Sequence, residues 1–122
     1  MPSIVKKRKL PSAIPAYGIT IRMGRAKDGC VGHFEMPSRE IVVDPKQPWC
    51  AQNITLLHEL LHAVDQGLKD QGMRKRKISH EWIEYASMNL WMMLVHAGLW
   101  NGVTRAEAQR YYHWHRRRKG QE

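Results

Sequence analysis

Apolar positions first alternate along this 122-residue chain and then step by three and four, so strands are predicted before helices. From Tyr17 onward, Ile19 and Ile21 alternate with Thr20 and Arg22, the period of a strand with one buried face. Val31 and Phe34, then Ile41, Val42 and Val43, form two short apolar runs on either side of Pro37-Ser38-Arg39-Glu40. After a link around Lys27-Asp28-Gly29 these runs predict a hairpin. Asp44-Pro45 ends its second strand, because the residue before proline avoids helical backbone angles and proline has no N–H for a ladder. Pro48 suits the first position of a helix, and Ile54, Leu57, Leu61 and Val64 mark its apolar stripe over 48–67, with Gly67 as the stop. The polar stretch 68–77, which contains Gly72, reads as a connection. Ser79 is a natural N-cap, and Ile83, Ser87, Leu90, Leu94 and Ala97 line a long helix closing at Gly98. Thr104 and Glu107 stand at capping-box spacing and start a last helix that runs into the tail. There is no internal repeat.

A mass of 14.3 kDa leaves room for one core. Hydrophobic residues at 43% and charged residues at 25% exclude a disordered chain and a membrane protein. The uncharged stretch 85–103 is broken by Ser87, Asn89, His96, Gly98 and Asn101, so it reads as a buried helix, with Trp82, Met88, Trp91, Met92 and Met93 in the core. Lys6-Lys7-Arg8-Lys9 is followed by Pro11 and Pro15 instead of an apolar export segment, and Cys30 and Cys50 lack a CxxC, so a cytoplasmic protein with free thiols is expected. The net charge of +9 comes from three blocks of four cations, at 6–9, 74–77 and 116–119. The other eight cations face 11 acids, so the body of the domain is slightly acidic. The expected organisation is a basic, proline-containing irregular arm over 1–15, a single domain over 16–115 and a basic tail over 116–122. The blocks predict at most weak, sequence-independent attraction to nucleic acid, and no membrane contact.

Chemistry concentrates in His58-Glu59-Leu60-Leu61-His62, an HExxH on the first predicted helix. Four helical residues turn through about 400°, which puts the two imidazoles one turn apart on one face, as two ligands of one zinc ion require. Glu59 lies about 100° round from His58, beside the metal, where it can take a proton from the attacking water and hand it to a leaving amine. A catalytic zinc takes a third protein ligand, and the start of the next helix offers Glu84, His80 and Glu81. Glu84 is preferred, because flanked by Ile83 and Tyr85 it would be a buried carboxylate that a metal satisfies. His80 and Glu81 fall in the first turn, where an acid also complements the helix dipole.

The hairpin strand Ile41-Val42-Val43-Asp44-Pro45, the run Leu56-Leu57-His58-Glu59-Leu60-Leu61-His62-Ala63 and Glu84 on the next helix together resemble the compact, gluzincin-like zinc peptidases of the ImmA/IrrE type, many of them phage-encoded. Over residues 14–94 that resemblance implies an α+β minimal zincin fold: a small antiparallel sheet on the HExxH helix, then a long helix and a C-terminal helix. It implies a zinc metallopeptidase with His58, His62 and Glu84 as ligands, Glu59 as general base, and an extended peptide or protein substrate added to a sheet edge. The family's Glu-x-x-Ala is Glu84-Tyr85-Ala86-Ser87 here. Ser79-His80-Glu81-Trp82 also resembles the His-Gly-x-x-aromatic context of SprT-like metalloproteases, which degrade proteins crosslinked to DNA, although the glycine is missing; that resemblance implies His80 as third ligand. A third reading is a non-catalytic zinc module whose basic ends bind nucleic acid. Asp65 is a candidate to orient a ligand imidazole, and His33 and Tyr85 are candidates to stabilise an oxyanion. His96, His113 and His115 read as packing or surface residues, and Tyr111, Tyr112 and Trp114 as docking the last helix.

Overall fold

The computed structural model describes residues 8–73, 76 and 78–118. Its elements are β1 (Ala13–Ile14), β2 (Ile19–Met23), β3 (Gly32–Glu35), β4 (Glu40–Val43), α1 (Trp49–Asp70), α2 (His80–His96) and α3 (Arg105–Arg118). The α+β class is therefore the one expected. Among the described residues no helix is long and apolar enough to cross a membrane.

The sheet runs β1-β2-β4-β3. β3 and β4 make the expected antiparallel hairpin, with Phe34 opposite Ile41. β2 runs parallel to β4, with Ile21 opposite Ile41 and Met23 opposite Val43, so the sheet is mixed where an antiparallel one was expected. The cause is the link 24–31: with a 3-10 turn at Lys27–Gly29, it carries the chain to the far edge before β3 begins, and β4 returns into the gap. β4 thereby becomes an inner strand, and its consecutive Ile41, Val42 and Val43 are all fully buried, the composition of a strand covered on both faces.

Part of the expected arm belongs to the fold. Leu10 packs against the sheet core and β1 pairs with β2, while residues 1–7 lie outside the described residues. Of the cationic blocks, Lys6, Lys7, Arg74, Lys75, Lys77 and Lys119 also lie outside them; Arg116, Arg117 and Arg118 form the last turn of α3.

α1 passes through Gly67 and ends one turn later. The N–H of Met73 donates to Leu68 O at 2.8 Å and that of Gly72 to Lys69 O at 3.0 Å, a Schellman closure with Gly72 at φ 66°. α2 closes in the same way at Gly98, whose φ is 75°. Two apolar clusters meet on α1: Leu56 and Ala63 face Ile19, Ile21, Ile41 and Val43, and Cys50 and Leu57 face Trp91, Val95 and Ala108. The buried stripe of α2 is narrower than expected, Ile83-Ser87-Trp91-Val95 in steps of four. Trp82 and Met93 consequently face outward, although sequence had placed them in the core, and on α1 Val64, expected on the apolar stripe, is exposed as well.

Candidate metal centre

α1 is long enough to pass under the sheet and along α2, so its HExxH turn lies between them. His58 and His62 project from one face, their Nε2 atoms 3.1 Å apart. Ligand nitrogens on a tetrahedral zinc stand about 3.4 Å apart, given Zn–N bonds of about 2.0–2.1 Å. His80 comes from the first turn of α2, which Ser79 starts by accepting the Trp82 N–H at 3.1 Å. Its ring lies 4.9 Å from that of His58 and 5.6 Å from that of His62. The donor atoms of His58, His62 and His80 all fall within 4.8 Å of one another, so the three can hold a metal ion.

Glu84 stands one turn beyond His80, its Oε1 3.4 Å from His80 Nε2, and lines the same cavity. It is outside the three-histidine group, and its side chain is 57% exposed. The burial argument that singled it out therefore fails: Ile83 turns into the core and leaves Glu84 on the open side of α2. Glu81, also exposed, is not among the cavity-lining residues.

Glu59 is buried at 6% exposure on the sheet side of His58. β3 crosses so close that a Cβ on Gly32 would collide with Thr55 Cγ2 and stand 3.5 Å from Glu59 Oε2, so glycine is what lets the strand cover this carboxylate. Burial pushes the Glu59 carboxyl up to about 7, where it exchanges protons near neutrality. Burial, followed by the imidazoles of His62 and His80, pulls His58 down to about 4, leaving a neutral ring with a lone pair to donate.

These groups face a cavity of about 880 Å³. Asp65 is buried and lines it. His33 also lines it, with its ring bonded to Glu35 at 2.9 Å and to the Lys27 N–H at 3.3 Å. Tyr85 is 72% exposed and lies outside the lining. Sequence reasoning missed Tyr111 and His115, which close the cavity from α3. Their spacing of four, on the face that also buries Ala108, was the available signal. No family model, curated protein or solved structure matches the chain.

Proposed function

We propose that this chain is a small zinc-dependent metallopeptidase in which His58, His62 and His80 hold the metal and Glu59 is the general base and acid. The observation that carries the reading is the buried Glu59, next in the chain to His58 and lining the same broad cavity as the three clustered histidines. Three imidazole donors suit zinc among the common divalent ions, and three protein donors leave one position free, as a catalytic site does and a closed structural site does not. When bound, the ion would polarise the scissile carbonyl and lower the pKa of water. Glu59, shielded under β3, accepts the water proton and returns it to the leaving amine. β3 is an edge strand lining the cavity, so an extended peptide can pair with it beside the histidines. The hairpin-then-HELLH order supports the ImmA/IrrE-type resemblance, while His80 in the cluster favours the ligand pattern of the SprT-like one. With His80 as the third ligand, Glu84, against His80, orients that ring. The working compartment in this reading is the cytoplasm, where Cys30 and Cys50 stay reduced.

Purified protein should carry about one zinc per chain and lose most of it on His62→Ala. Glu59→Gln should keep the zinc while hydrolysis of unfolded protein or a peptide library falls by at least about 100-fold. His80→Ala should weaken zinc binding more than Glu84→Ala; the reverse order would move the third ligand to Glu84. Protein that takes up no zinc, or a fully active Glu59→Gln, would overturn the proposal.

A further inference from the structure

α3 carries five arginines and one acid, Glu107. That acid is already engaged. Its Oε1 accepts the Thr104 N–H at 3.0 Å and its Oε2 meets the Arg8 guanidinium at 2.6 Å, which holds its carboxyl below the usual range. Arg8 thus offsets the charge of Glu107, which leaves the five arginines of α3 without an opposing acid on their own helix. At this pair, α3 and the first turn of α1 form a second, wide-open pocket of about 420 Å³, within the span of 300–1,000 Å³ in which concave ligand sites fall. Its walls hold three aromatic rings, Trp49, Tyr111 and Trp114, with Arg110 and the Arg8-paired Glu107 on the α3 side. Trp49 is pinned by donating its indole N–H to Gly102 O at 2.7 Å. Trp114 is 43% exposed, its ring centroid 5.5 Å from that of Tyr111, and the Arg118 guanidinium lies 5.1 Å over it. Arg116 stacks on Tyr112 in the same manner, at 5.5 Å.

Cations interleaved with aromatic rings at the surface, the exposed Trp114 and the half-buried Trp49, Tyr111 and Tyr112, are what a single nucleic-acid strand needs. Guanidinium groups take the phosphates, and unpaired bases stack on aromatic faces, which a duplex cannot offer without unpairing. We infer that α3 and the Trp49–Trp114 pocket form a docking face for single-stranded nucleic acid, one base entering the pocket and the flanking phosphates lying on Arg110, Arg117 and Arg118. The inference is independent of the metal centre, although Tyr111 borders both cavities.

Full-length protein is titrated into a labelled twelve-residue oligothymidylate, the matching oligouridylate and a duplex of equal length, with anisotropy as the readout. Either single strand should bind at least about tenfold tighter than the duplex, and the ratio of the two strands tells whether the sugar is read. With about three phosphates neutralised, log K should fall by about 2 per log unit of salt. Trp114→Ala should weaken single-strand binding about tenfold at an unchanged slope, since base stacking is uncharged. Trp114→Phe, which keeps a ring, should recover most of that loss. Arg110→Gln, a change at the exposed rim, should reduce the slope by about 0.7 per lost phosphate. Circular dichroism checks that each variant is folded. Duplex binding as tight as single-strand binding, no binding at low salt, or folded Trp114→Ala and Arg110→Gln proteins that bind like the parent would overturn the inference.

Discussion

Asn53 shows how much one polar side chain can hold. It is 1% exposed on α1, where its Nδ2 donates to Trp49 O and its Oδ1 accepts the Trp100 indole N–H, both at 2.7 Å. Trp100 packs against both apolar clusters, so this amide ties the segment after α2 to the central helix. Asn53→Ala leaves a buried indole N–H without its acceptor and should cost about 2–3 kcal/mol in urea unfolding. A loss below about 0.5 kcal/mol would mean that water replaces the amide. At this scale sequence is legible only where partners are close along the chain. His58 and His62 stand a turn apart, so their shared face follows from helix geometry alone. Asn53 and Trp100 are 47 residues apart, and nothing local marks either as the other's partner. Burial expected from sequence could not separate His80 from Glu84 for a related reason. Which side of α2 faces the cavity depends on Ile83, Ser87, Trp91 and Val95 seating against their neighbours, and a polar residue next to an isoleucine can fall on either side.

Helix ends divide the two glycines of α1 in a way that a stability measurement can read. Gly67 lies within the helix with nothing within 4 Å of an added Cβ, whereas Gly72 takes φ 66° in the closure that follows. Gly67→Ala should therefore stabilise the protein by about 0.5–1 kcal/mol, through helix propensity and a less flexible unfolded chain. Gly72→Ala should destabilise it by about 1–2 kcal/mol, the cost of a left-handed residue with a side chain. Equal effects of one sign would contradict the placement of the helix end. From sequence Gly67 looked like the stop because it came first after the apolar stripe; the backbone conformation that makes glycine necessary occurs only at Gly72. The capping box was more legible, since both of its residues are local: Thr104 Oγ1 accepts the Glu107 N–H at 3.1 Å while Glu107 takes that of Thr104.

For the molecule as a whole, the apolar runs revealed which strands exist and left their order open. Alternation places residues on one face or the other, but it carries no information about which neighbour a strand pairs with. The parallel pairing of β2 and β4 follows from where the short link 24–31 delivers the chain. The helices form a simpler arrangement, with α1 as the shared wall of both apolar clusters and the bearer of two of the three histidines. The third histidine arrives from α2, beyond the connection that begins at Gly72. Splitting the chain between Gly72 and Ile78 would therefore leave His58 and His62 on one fragment and His80 on the other. The two pieces would still share the buried contact of Leu57 with Trp91 and Val95, and so should recombine when mixed. If the histidines bind zinc together, the ion becomes a crosslink between fragments. Their association, followed by size exclusion, should then tighten on adding zinc, loosen with a chelator, and lose that dependence when the second fragment carries His80→Ala.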